Sequence, residues 1–373
     1  MSDAAARTAF PAGIDALKPL RFLALAWVVI NQFENRLGLH IGQAIGVVAK
    51  GYMGSDLFFV LTGFWLAHVV KSRVDTGETS YASLVWRRMS GLYPLHLAAI
   101  MLMFGLMLVS LRMGETPRTD VFDAVGLLGN LLLVHAWGAL PTVSWNFPSW
   151  MVSAEWFALL TFPALLALAL RGWSRTWIAL AAPVALMVAL FETAHARGVL
   201  FTDMTAQVGI LRTLPDFLLG AGLYRLSLER PLGAKAGGAL AFAALAWIGA
   251  ASQFGLSDPW IWPAFGPLVL GVAETARGGR SWLAVRPLTW LGDISYAMYL
   301  LYLPVDITYY HLLHRLGPGP LGASVWMQWA GVFPAIGIAA LLAYYGVERP
   351  AAALLGRLDP FKRRPAPAAV AAA

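Results

Sequence analysis

The sequence predicts an all-α, polytopic membrane helix bundle of about ten transmembrane helices, with a re-entrant or interfacial segment near residues 113–151. Three observations carry that expectation: the composition, ten apolar stretches of spanning length, and the partition of basic residues between them. Of 373 residues, 59% are hydrophobic and only 13% charged, against about 45–50% and about 25% in a water-soluble domain. So little charge does not cover a protein of this size in water, and the chain belongs in a bilayer. The same composition excludes intrinsic disorder. The absence of cysteine excludes a disulfide-stapled domain, a thiolate nucleophile and a Cys-type metal site. The net charge of +7 reads as Lys and Arg beside anionic headgroups, not as nucleic-acid binding.

Residues 1–19 carry acids and a proline before the first apolar run, without a signal peptide's basic start and cleavage site. They are expected to form a cytoplasmic segment, with the first span retained. A span needs roughly 20 apolar residues to cross about 30 Å of hydrocarbon. Stretches near 20–35, 52–70, 91–111, 152–170, 176–191, 208–224, 236–254, 259–275, 287–308 and 323–346 qualify, some loosely. A further stretch, 121–137, is apolar but short, and loop charge decides its path. If it does not cross and the N-terminus is cytoplasmic, 20 of the 27 Lys and Arg fall on inner segments, with Arg212 counted outside; if it crosses, only 10 do. Residues 113–151 are therefore read as an outer-face or re-entrant excursion, with both termini on the cytoplasmic side of the inner membrane. Irregular backbone at that depth requires burial in protein or a cavity, so a cavity is expected near Trp145–Trp150. Residues 20–350 make up the transmembrane domain. Residues 351–373 are expected to be a basic, partly disordered tail, its Lys362-Arg363-Arg364 cluster a headgroup anchor.

Charged residues inside spans are costly, so each is a candidate for function. Arg21 opens the first span and Gln32 lies eleven residues on, about 16 Å along a helix and on nearly the same face. Asp56 begins the second span, where it either stabilises the helix N-terminus or serves a site. The adjacent Arg87 and Arg88 suit a clamp for phosphate or pyrophosphate, because each guanidinium offers a bidentate fork; they also suit positive-inside anchors. Glu155, flanked by apolar residues, is placed about two turns into the membrane from the outer side. There it is a candidate for proton transfer or a partner for an arginine. Glu348, before Pro350, reads most simply as a helix stop. The seven histidines show no metal-ligand spacing, and no metal is expected.

Six blocks in order carry a more specific signal. They are Arg21 to Gln32; Gly54-Ser55-Asp56 through Gly63-Phe64; Arg87-Arg88 with Tyr93-Pro94; Ser149-Trp150 through Ser153-Ala154-Glu155; Leu291-Gly292-Asp293-Ile294-Ser295-Tyr296; and Glu348-Arg349-Pro350. Together, across some 330 residues, the chain resembles the acyltransferase-3 family of integral-membrane acyltransferases. The resemblance implies transfer of an acyl group, often acetyl, from cytoplasmic acyl-CoA to a hydroxyl of a surface glycan, lipid or related acceptor. It makes Arg21, Arg87 and Arg88 candidates for binding the donor, and Asp56, Ser153 and Glu155 candidates for the reacting site.

The chain departs from that family at two positions. Where the family carries a first-span histidine, this chain has Gln32, and where related chains read Leu-Leu-His, it has Leu300-Leu301-Tyr302. A neutral amide has no proton affinity near pH 7, so Gln32 is expected to orient an acceptor hydroxyl while Glu155 serves as the base. The alternative is a chain that keeps the fold without the chemistry, as a scaffold, accessory subunit or carrier with a protein partner.

Overall fold

Every regular element among the described residues is helical. The computed structural model describes residues 10–11, 13–116, 121–140, 143–167, 176–199, 209–277, 281–315 and 324–362. The principal helices are α1 (Leu17–Gln32), α2 (Gly54–Val69), α3 (Tyr81–Arg112), α4 (Ala124–Leu131), α5 (Trp150–Ala167), α6 (Thr176–Ala196), α7 (Gly209–Glu229), α8 (Ala234–Gln253), α9 (Phe265–Thr275), α10 (Arg286–Arg315), α11 (Val332–Ala343) and α12 (Arg349–Arg357).

Six helical stretches among the described residues are long and apolar enough to cross a membrane: Gly51–Val74, Tyr81–Arg112, Phe147–Ala167, Thr176–Ala196, Ala234–Gln253 and Val325–Arg357. The chain is a multi-pass membrane protein. The remaining stretches counted from sequence fall short of that standard by length (α1 has 16 residues and α9 has 11) or by polarity, in α7 and α10.

The centre of the bundle is α2, buried at all but one of its residues. It packs against α1 on one side and α7 on the other. A Cβ on Gly63 would collide with the Phe217 backbone, and one on Gly220 with the backbones of Val60 and Phe64. Small residues at a helix crossing let the two backbones approach closely, the usual route to tight packing where lipid is the solvent. Around this pair, α10 lies on α1 and α3, α8 on α9, α6 and α5 on α7, and α12 on the start of α3.

The excursion folds back against the bundle. Among its described residues the longest helix inside it, α4, has 8 residues, about 12 Å of rise and too short to cross. Its polar residues point inward: Asn130, His135, Ser144, Asn146 and Ser149 are all buried. The Asn130 amide donates to the Gly126 and Ser144 carbonyls at 2.9 and 3.2 Å, and Asn146 donates to the Leu300 carbonyl of α10 at 3.0 Å. The Ser149 hydroxyl lies 3.0 Å from His135 Nε2 and 2.7 Å from the Asn146 carbonyl. A non-helical backbone at depth survives because these side chains satisfy it. Trp145 closes the segment by packing: its indole donates to the Asp123 carbonyl at 2.8 Å and its ring stacks on Phe104. Trp145, Asn146, Ser149 and Trp150, beside which a cavity is expected from sequence, are themselves buried in the bundle.

At the C-terminus, α12 covers 349–357, so the segment expected as a loose tail from 351 begins as helix. Asp359 then accepts from Ser83 Oγ, and Ser80 Oγ donates to the Phe361 carbonyl at 3.0 Å, which ties the chain to the start of α3. Arg363 and Arg364 of the expected anchor lie outside the described residues.

Candidate functional site

The bundle opens at one end into a cavity of about 480 Å³ whose lining includes Arg21, Arg73, Arg87, Arg88, Trp65 and Glu348. Four helical segments distant in sequence contribute these side chains, and each is held there for a local reason.

Arg21 is fixed by α10. Its guanidinium donates through Nε to the Gly292 carbonyl at 3.1 Å and also through Nη2 to the same oxygen. Gly292 admits this contact because α1 runs directly over it; a Cβ there would collide with the Lys18 backbone. Next to it, Asp293 pairs with Lys18 at 3.1 Å. One short block, Leu291-Gly292-Asp293, thus supplies the close approach, an acceptor for Arg21 and a counter-charge for Lys18. Tyr296, one turn further, also lines the cavity and donates to the Leu92 carbonyl of α3 at 2.8 Å.

Arg87 and Arg88 diverge although adjacent, since successive residues on a helix differ by about 100°. Arg87 is half-exposed at the mouth, 3.5 Å from Asp359. Arg88 turns inward, its Nε and Nη2 both 2.6 Å from Glu155 Oε1. Its guanidinium carbon lies 5.7 Å from the Trp65 ring centroid, within range of a cation–π attraction. Arg73 reaches the cavity from the π-helical turn Val70–Val74 that follows α2, and pairs with Glu78 at 2.6 Å.

Glu155 is therefore not where the sequence places it. The re-entrant segment carries the chain back into the bundle before α5 starts, and Leu159, one turn beyond Glu155, accepts from Tyr81 at the first residue of α3. Glu155 belongs to the arginine-rich end of the molecule, not to the opposite half. With a side chain only 3% exposed, it is committed to Arg88 and is a positioning partner in place of the free base expected.

The other sequence candidates lie elsewhere. Gln32 is exposed at the last residue of α1, at the end of the helix remote from Arg21, and makes no hydrogen bond among the described residues. Leu25, Val28 and Val29, buried between them, close that face of α1 with apolar side chains. Gln32 and Glu155 thus do not meet over one acceptor hydroxyl. Asp56 is fully buried against Arg212 of α7, with contacts of 2.7 and 2.6 Å, and Ser55 adds a third at 3.0 Å. Arg212, assigned from loop charge to an outer segment, is 1% exposed inside the bundle. Ser153 spends its hydroxyl on the excursion, donating to the Leu133 carbonyl at 2.7 Å and accepting from the Ala136 N–H at 3.1 Å.

Sequence reasoning did not assign Arg73, Trp65 or Glu348 to this cavity. The available signal for the last was the Glu-Arg-Pro block itself, read as a stop. In the structure α11 runs through a π-helical turn, Tyr344–Glu348, into α12, and the turn brings Glu348 to the lining. Such turns inside long helices are frequent at functional sites.

The chemistry these groups offer is recognition of an anion. Four guanidinium groups face a cavity of ordinary ligand-binding size, and three of them, Arg21, Arg73 and Arg88, already act as forks on oxygen atoms. Comparison with known proteins supplies the family. The family model described as an acyltransferase domain matches residues 14–346. Acyltransferase MdmB of Streptomyces mycarofaciens is 30% identical over 356 residues, which cover 88% of this chain and 88% of that protein. No solved structure matches the chain.

Proposed function

Because the chain belongs to the acyltransferase-3 family, we propose that it transfers an acyl group from acyl-CoA, acetyl-CoA being the simplest donor, to a hydroxyl of a glycan, lipid or related acceptor. The observation that carries this reading is the gathering of Arg21, Arg73, Arg87 and Arg88 around one cavity at one end of the bundle. A CoA thioester carries several phosphate charges at one end and the reactive carbonyl at the other. Arg87 and Arg73, at the mouth, take the phosphates; Arg88, held by Glu155, and Arg21, held by the Gly292 carbonyl, lie further in. Binding the polar end at the mouth directs the thioester inward, which supplies proximity and orientation to the transfer step. The loop-charge reading, with this end facing the cytoplasm, fits a cytoplasmic acyl-CoA donor.

The test is direct. Protein purified into lipid nanodiscs is titrated with acetyl-CoA by calorimetry, and thiol release is followed with and without a panel of monosaccharide acceptors. Micromolar binding with acceptor-stimulated thiol release supports the reading. Binding without any turnover supports the scaffold or carrier alternative, and no binding at millimolar acetyl-CoA overturns the donor site.

A further inference from the structure

On the reading that this cavity holds the thioester, we propose that Glu348 is the general base of the transfer. Three observations of different kinds meet at this residue. It is the only carboxylate among the described residues that lines the cavity. It has no ion pair and no hydrogen bond among them, and its Oε2 is buried without a partner. It sits at the end of the π-helical turn Tyr344–Glu348, an interruption of an otherwise continuous helical stretch.

Burying a carboxylate oxygen without a donor is costly, and such atoms in folded proteins are few and call for an explanation. Glu155 shows what the ordinary solution looks like in the same region: direct contact with a guanidinium at 2.6 Å. Glu348 shares the cavity with Arg21 and Arg88 without an ion pair or hydrogen bond to either. It lies near positive charge but is not consumed by it. A base needs that condition, and a structural counter-ion does not.

The step balances as follows. As the acceptor oxygen bonds to the acyl carbon, Glu348 removes the hydroxyl proton. The carbon–sulfur bond then breaks, the proton passes to the departing thiolate, and the products are the ester, the free CoA thiol and the regenerated carboxylate. Arg88 and Arg21 are placed to stabilise the oxyanion formed in between.

The experiment uses the full chain in nanodiscs with acetyl-CoA, measuring hydrolysis (water as the hydroxyl acceptor) alongside the calorimetric Kd. Glu348→Gln keeps the size of the side chain but takes no proton. It is expected to lower kcat by about 10²–10⁴-fold and to leave the Kd for acetyl-CoA within about threefold. Glu348→Ala is expected to lose the same rate and to recover part of it when formate is added as a small external base. The proposal is overturned if Glu348→Gln turns over within threefold of wild type, if the loss lies in Kd, or if Glu348→Ala is unfolded or unresponsive to formate. A wild-type protein that neither binds nor hydrolyses acetyl-CoA removes the functional reading and the base together. Wild-type turnover that survives Glu348→Gln removes the base alone.

Discussion

Arg88 of α3 and Glu155 of α5 lock together inside the arginine-rich end of the bundle, two nitrogens of one fork on a single carboxylate oxygen at 2.6 Å. The pair fixes how deep α5 sits and aims one guanidinium into the cavity. Glu155→Gln should therefore loosen Arg88 and leave the fold in place. Removing one partner of a fully buried pair costs about 3–5 kcal/mol; Arg88 still reaches the open cavity, so the expected loss is smaller, on the order of 1–3 kcal/mol. Acetyl-CoA affinity should fall with it. Arg88→Lys should fare little better, because an ammonium lacks the planar fork. Thermal unfolding and calorimetry on the two variants check this, and unchanged affinity in both would remove Arg88 from the donor site.

Asp56 and Arg212 should behave as structure. Either single replacement by alanine leaves the other charge buried and unpaired, and is expected to cost about 3–5 kcal/mol or to abolish expression. The double change Asp56→Leu with Arg212→Met should recover most of the stability, since an apolar pair of similar volume is often as stable. Recovered folding with acetyl-CoA turnover near wild type would confirm a packing role. Recovered folding with no turnover would return Asp56 to the reacting site.

Arg87 and Arg21 should separate by salt dependence. Arg87 is half-exposed at the mouth, whereas Arg21 is anchored on the Gly292 carbonyl. Each alanine variant should weaken acetyl-CoA binding by roughly 1.5–3 kcal/mol, the usual worth of a hydrogen bond to a charged group. The Arg87 contribution should shrink at high ionic strength. Calorimetry across a salt series reads both, and equal salt slopes for the two variants would contradict the placement.

Gln32→His should change acetyl-CoA hydrolysis by less than about threefold, less than the 10²–10⁴-fold that a general base contributes. The side chain lies at the end of α1 away from the cavity, with Leu25, Val28 and Val29 buried between. An increase of a hundredfold or more would show that a base at that position completes the reaction and that the chemistry lies at the opposite face.

Ser153→Ala should cost stability in preference to rate. It strands the Leu133 carbonyl and the Ala136 N–H inside the protein, for about 1–3 kcal/mol. A lowered melting temperature with kcat unchanged is the expected result; an unchanged melting temperature with a large drop in kcat would make Ser153 part of the reacting centre.

The class of fold was legible in composition alone, because a chain with 13% charged residues has no way to meet water over its whole surface. The absence of a full-length helix among the excursion's described residues agrees with the loop-charge argument that it does not cross, since α4 has only 8 residues. Arg21, Arg87 and Arg88 could be nominated because charge in a span is rare. Their partners could not. Glu155 looked like an outer-half acid because each apolar stretch was assumed to start at an interface, and only the buried start of α5 corrected that.

The sequence by itself determined that this is a helical membrane protein of the acyltransferase-3 family. Periodicity, hydropathy and motif order are local properties, readable along one strand of text. The tertiary structure alone decided which charges are spent and which stay free: Asp56 on Arg212, Glu155 on Arg88, Glu348 on nothing. Those outcomes depend on how helices far apart in the chain rotate and how closely glycines let them approach, and a one-dimensional pattern does not encode that geometry.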